Sequence, residues 1–317
     1  MRDVIIKTIT EAAREDHSIM FLSSDFGAPA LDEFRQDLPN QFINVGIAEQ
    51  NMIDVAAGLT LSGKKVFCYA MAPFITSRAY EQIKCSLSSM NLPVTLIGVG
   101  VGLGYDHSSM THVQVEDLAC MRTISHLEIL TPVDKTMARV ITKLALEKPA
   151  LRYIRVERLV GDEDYTSIYL SAKAKRVCEL GLGRVDRHRW ETDVLIVTWG
   201  DMIRVALRAS RVLKLENDLV VGVVDMVKAK PMDGKLLEVG LSGTKALVFV
   251  EEHVMAGGIG SAIMDSLIDC DSELRHLPIR RMGIEDGYKI VNGDRKYLRK
   301  HFGIDEESIV KAIRELV

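Results

Sequence analysis

Apolar positions along this chain recur with two periods, and the two alternate. Ile5, Ile9, Ala12 and Ala13 fall on one helical face. Residues 19–22 form a short unbroken apolar run stopped by SSDFG, the pattern of a strand buried on both faces. Residues 42–45 read as a second strand, and after Gly46 a helix begins with Ala48, Met52, Val55, Ala56 and Leu59 on one stripe. Residues 65–69 predict a strand and 78–90 a helix. Residues 94–101 predict a strand running into a glycine-rich loop. Residues 126–130 predict another, ended by Thr131-Pro132, then a helix to Glu147 and a strand over 151–156. From Glu157 to Thr192 the periodicity fades and charges cluster in DEDY, KAKR and VDRHR, as in a linker with one or two edge strands. A second series follows, with strands at 194–198, 219–226, 246–251 and 278–282 and helices at 201–215, 259–268 and from Glu306. Strands alternating with helices imply parallel βαβ units. The expected fold class is α/β, two domains, each a mostly parallel sheet flanked by helices. The expected boundaries are 1–165, a linker 166–192, and 193–317.

Composition narrows the function classes. At 47% hydrophobic and 26% charged, 317 residues can bury a large core, which excludes a disordered or disulfide-stapled chain. A net charge of -4 with no basic stripe argues against nucleic acid. The longest apolar run, 94–104, is far short of the ~20 residues of a membrane helix, and the first residues lack a signal-peptide core. A cytoplasmic protein is expected. Five cysteines form no CxxC pair and no zinc spacing, so reduced, packed thiols are expected.

Four segments carry candidate chemistry. In NVGIAEQNM, Glu49 shares a helix face with Met52, Ile53 and Ala56, one turn from a strand end, where open α/β sheets bind ligands. Taken alone, a first-turn Glu complementing the helix dipole is the simpler reading. In GVGVGLGYDHSSMTH the glycines do not open a helix, so a dinucleotide fingerprint is not supported. They suit close backbone approach to a ligand, and His112 follows in a loop where histidines are usually just solvated. In APFITSRAYEQIK, Phe74, Arg78 and Tyr80 bracket a strand-to-helix turn. An aromatic there could stack on a flat ring, although core packing is the commoner use. In LRYIRVER, alternation places Arg152 and Arg158 on one face if the strand stays regular, and arginine forks suit carboxylates and phosphates.

Together these segments resemble the thiamine diphosphate enzymes of the transketolase group. FINVGIAEQNMIDVAAGL looks like the pyrimidine-binding signature, APFITSRAYEQIK like the aromatic segment after it, and SSMTH like the loop that usually reads GPTH. VVDMVKAKPMD and LVFVEEHVMAGGIGSAI are similar to the family's C-terminal domain. The resemblance implies that Glu49 activates the cofactor and that Phe74 stacks on its pyrimidine ring. It implies cofactor contacts from Asp25 and Arg78, a catalytic role for His112 on protons or the donor carbonyl, and substrate contacts from Arg158, Arg2 and His112. It also implies a divalent metal, Mg2+, held with the cofactor diphosphate by GDG and a downstream Asn. No GDG occurs in this chain. No metal ligand is therefore expected here. The expected partner is an N-terminal transketolase subunit carrying GDG and the Asn, with homodimerisation within an α2β2 assembly. The implied reaction moves a two-carbon ketol unit from a ketose to an aldehyde. Ser108, Gly98 and the surroundings of Pro29 depart from the family's usual substrate contacts, which implies retained chemistry with an altered sugar pocket. A 2-oxo-acid decarboxylating beta-type subunit, another carboligase, and a non-catalytic scaffold subunit are the alternative expectations.

Overall fold

The computed structural model describes residues 1–25, 27–158, 175, 177–178, 181–184, 191–287 and 291–317. Twelve strands are found among them. In chain order these are β1 (Ile19–Ser23), β2 (Phe42–Asn44), β3 (Lys65–Met71), β4 (Val94–Val99), β5 (Glu128–Leu130) and β6 (Arg152–Val156). Then come β7 (Gly183–Arg184), β8 (Val194–Thr198), β9 (Val221–Asp225), β10 (Lys228–Lys230), β11 (Leu247–Val254) and β12 (Ile279–Ile284).

Two sheets result, in the orders β10-β5-β6-β4-β3-β1-β2 and β12-β11-β8-β9-β7. Every pairing is parallel except β10 with β5 and β7 with β9. The central strands read as continuous apolar runs because both faces are covered. In β1 and β3, Phe21, Phe67 and Tyr69 pack into one core while Met20, Leu22, Val66, Cys68 and Ala70 pack into the other. The expected α/β architecture of two helix-flanked, mostly parallel sheets is present. The boundary expected at 165 and most of the linker at 166–192 lie outside the described residues. The edge strand expected there is β7.

Several helices start on an aspartate cap. Asp134 accepts from the Met137 N–H at 2.8 Å, and Asp233, Asp294 and Asp305 cap helices Gly234–Leu241, Arg295–His301 and Glu306–Leu316 in the same way. Helix Glu49–Leu61 differs: its N-cap is Ala48, which offers no side-chain acceptor, and Glu49 supplies the only acid of its first turn.

Three expectations need correction. Residues 78–90 do not form one regular helix: wide π-type turns at Phe74–Arg78 and Ile83–Ser88 flank a short α segment at Tyr80–Gln82. The helices Ala30–Asp37, Asp117–Met121, Gly234–Leu241 and Arg295–His301, at five to eight residues, are too short for a helical period to be seen. The two sheets are also not separate along the chain, because β10 crosses back to form an edge of the first sheet. No described helix is long and apolar enough to cross a membrane.

Candidate active site

The first sheet reverses direction between β1 and β3: the chain goes from β1 outward to β2, then crosses to β3 on the other side. Crevices at such switch points, beyond the carboxyl ends of the strands, are where open α/β sheets hold ligands. Three segments converge there. Ser24 follows β1, Glu49 opens the helix after β2, and Phe74 and Arg78 lie in the wide turn that follows β3. The π-type turn brings Phe74 and Arg78 onto the same side, since Arg78 stands over the Phe74 ring at 4.1 Å.

Glu49 is buried, with its side chain only 3% exposed. One carboxylate oxygen accepts from Ser24 Oγ at 3.0 Å, and the other from Arg78 Nη1 at 2.8 Å. A buried acid needs such partners. One of the two is replaceable, because Arg78 reaches in from solvent with 42% of its side chain exposed.

From Phe74 the site continues by ring contacts. The His112 imidazole meets Phe74 edge-on at 5.5 Å and Tyr105 at 6.0 Å. The Arg158 guanidinium covers the Tyr105 ring at 4.7 Å. Tyr105 folds back over Gly100, where a Cβ would lie 1.9 Å from the ring, so only glycine with its positive φ permits this packing. Burial raises the Tyr105 phenol above its ordinary pKa, against the opposing charges of Arg158 and Arg2. Arg2 bonds Asp3 at 2.7 Å and lies beside the Tyr69 phenol. Two guanidiniums and two phenols thus gather at one end of the site, and the buried carboxylate stands at the other.

The structure brings Glu49, Phe74, Arg78, His112, Arg158 and Arg2 into one connected surface. Asp25 does not touch Glu49. Its backbone N–H and carboxylate both engage the Asn44 side chain, tying the end of β1 to β2, and its φ of +54° places the turn in the left-handed region. Tyr80 is turned away, with its hydroxyl on Thr123 at 2.8 Å. Arg152 and Arg158 do not share a face as a pair. Strand β6 ends at Val156, and Arg152 is committed to Glu128 at 2.7 Å. The middle arginine, Arg155, is buried on Asp117 at 2.6 Å beneath Trp199. The place of Gly98 is also informative. A side chain there would point at Tyr153 and Ile75 in the core, which leaves no room for a histidine facing the cleft.

Sequence reasoning singles out neither Ser24 nor Tyr105. Ser24 belongs to a segment that reads only as a strand stop, and Tyr105 becomes meaningful only through its contact with Gly100. Among the described residues, no group of three or more His, Cys, Asp or Glu side chains could hold a metal ion.

Comparisons with known proteins point to one family. The profile described as transketolase, pyrimidine binding domain matches residues 1–160, and that of the transketolase C-terminal domain matches 183–309. The chain is 32% identical over 98% of its length, and 95% of the relative's, to one of the subunits of an apulose-4-phosphate transketolase of Phocaeicola vulgatus. It is 30% identical over its full length, and 94% of the relative's, to a 6-deoxy-6-sulfo-D-fructose transketolase subunit of a Clostridium species. A solved structure described as a split gene transketolase, inactive beta4 tetramer, superposes with a TM-score of 0.79 at 28% identity, covering 99% of this chain and 97% of the other. The chain belongs to the transketolase family and pairs that family's pyrimidine-binding and C-terminal domains.

Proposed function

We propose that this chain is the pyrimidine-domain subunit of a two-component, thiamine diphosphate-dependent transketolase that moves a two-carbon ketol unit from a ketose to an aldehyde. The observation that carries the reading is Glu49, a buried carboxylate at the switch point, with Phe74 and Arg78 beside it. Its surroundings fit an aminopyrimidine: a dry acid to bond a ring nitrogen, and a half-buried aromatic to lie against the ring. When bound, the cofactor supplies the carbanion and the electron sink. Glu49 holds the pyrimidine by a hydrogen bond, with Ser24 fixing its other oxygen. Arg78, partly exposed, would give up its place on Glu49 to a bound aminopyrimidine. Asp25 shapes the turn beside the cofactor through Asn44. His112 orients the donor carbonyl or carries its proton. Arg158 and Arg2 face a ketose whose far end is anionic. Both relatives above are named for sugars bearing such an end, a phosphate in one and a sulfonate in the other.

The diphosphate and its Mg2+ are assigned to an N-terminal partner subunit carrying the GDG and Asn motif. We place residues 1–165 as the pyrimidine-binding domain, 166–192 as a linker and 193–317 as the C-terminal domain, in a cytoplasmic α2β2 assembly. Two relatives named as single subunits of a transketolase, and a split-gene relative whose tetramer of beta chains is inactive, support a shared site. The test is reconstitution. This chain with thiamine diphosphate, Mg2+, a ketose donor and an aldehyde gives no transfer until the N-terminal subunit is added. Transfer by the chain alone would refute the shared site.

A further inference from the structure

The loop that carries Tyr105 and His112 is pinned from outside its own sheet. It closes on itself at a bridge in which Gly102 N–H donates to Gln114 O at 2.7 Å and Gln114 N–H returns to Gly102 O at 3.2 Å. Just beyond that bridge, β11 takes hold of both arms. Glu252 accepts from the Leu103 N–H at 3.1 Å, and Val254 N–H donates to Val115 O at 2.7 Å. The approach is close enough to require glycine: a Cβ on Gly102 would lie 2.6 Å from the Glu252 carboxylate, at a φ of +61°. The backbone N–H of Arg295 fixes the loop further along, on the Asp106 carboxylate at 3.1 Å.

These pins are themselves braced. Arg295 and Arg299 each reach Glu252 at 2.5 Å. Arg295 also reaches Glu157 at 2.6 Å, the residue immediately before Arg158, and Arg299 reaches Asp201 at 2.7 Å. A cavity of about 300 Å³ lies against the loop, lined by its Leu103, Met110 and Val113 and by Val254, Leu298 and Phe302 of the second half.

We propose that Glu252 and Arg295 are positioning residues of the C-terminal half that set where Tyr105, His112 and Arg158 stand, through the Leu103 and Asp106 pins and the Glu157 brace. The proposal rests on the reading of this loop as catalytic. Two variants test it. Glu252→Gln keeps the shape but removes the charge that binds both arginines. Asp106→Asn weakens one pin and leaves the ion-pair network whole. In the full chain, amide hydrogen exchange over residues 103–112 becomes about 10-fold or more faster in Glu252→Gln and less so in Asp106→Asn, while helix Glu49–Leu61 is unchanged. In the reconstituted two-subunit enzyme, kcat falls and the donor KM rises, together lowering kcat/KM about 10-fold, while thiamine diphosphate affinity holds. Exchange unchanged in both variants, or accelerated equally throughout the chain, overturns the clamp. Faster loop exchange with unaltered kinetics overturns its positioning role. Full transfer in Glu49→Ala would instead sink the functional reading, whatever the loop does.

Discussion

The two sheets offer the same crevice and use it in opposite ways. Each reverses strand order at one point, between β1 and β3 in the first and between β8 and β11 in the second. In the first crevice a single buried carboxylate, Glu49, is partnered by an arginine that stays partly in solvent. In the second, three buried acids, Glu157, Asp201 and Glu252, meet Arg295, Arg299 and Arg204. Burial pushes the Glu252 carboxyl up, but Arg295 and Arg299 prevail and hold it at about 2. Burial likewise raises Glu157, and there Arg295 only partly offsets it. One crevice is left exchangeable and the other is filled from within. Architecture provides the place, and only the removable partner leaves room for a ligand.

That contrast can be broken at either end. The largest effect is expected at Glu49. Glu49→Ala lowers transfer by the reconstituted enzyme by roughly 10²–10⁴-fold, as for loss of a positioned acid or base, while the thermal midpoint stays nearly constant. A large drop in stability with residual activity would mean that Glu49 is structural, like the acids of the second crevice. Next, Arg299→Ala leaves Glu252 and Asp201 short of a buried partner. It costs about 3–5 kcal/mol in denaturant unfolding, typical of a broken buried pair.

A third prediction concerns His253, fully buried beside this network. It faces Asp117 at 3.9 Å, Arg155 lies nearby, and Trp199 packs against its ring. Burial lowers its pKa to about 4. The unfolded chain therefore binds a proton between pH 6.5 and 4 that the native chain refuses, so stability is lost as pH falls through that window. Glu251 runs the other way. Its carboxyl is raised to about 7 by burial, so its contribution is complete below the ordinary carboxyl pKa and fades as pH rises toward 7. Urea midpoints of His253→Gln measured from pH 7 to 4 should lack the histidine part of the acid limb, roughly 3 kcal/mol. An unchanged acid limb would refute the assignment. The smallest effect belongs to Arg78→Gln. The Arg78 side chain is 42% exposed and a glutamine can still donate a hydrogen bond to the buried Glu49, so unfolding free energy changes by about 1 kcal/mol, while thiamine diphosphate binding to the assembled enzyme changes measurably.

The alternation of strands and helices was legible because parallel strands buried on both faces leave unbroken apolar runs. The residues around Glu49 were legible because they lie close together in recognisable segments. What escaped depends on distant meetings. Glu252 and Leu103 are 149 positions apart, and nothing local marks either as the other's partner. The arginines of LRYIRVER looked alike in sequence. Two of them are committed to Glu128 and Asp117, and only Arg158, beyond the strand end, reaches the site. The regular helix expected over 78–90 failed because local apolar spacing does not reveal the wide turns that aim Phe74 and Arg78.

The crossing strand β10 has a practical consequence. Lys228–Lys230 covers the flank of β5, whose own apolar residues Ile129 and Leu130 are fully buried. A fragment ending anywhere before Lys228, even one containing the entire pyrimidine-binding match, would present β5 as a bare hydrogen-bonding template. Such an edge recruits further strands, so the fragment should self-associate, while the intact chain is protected by a piece of its own second half.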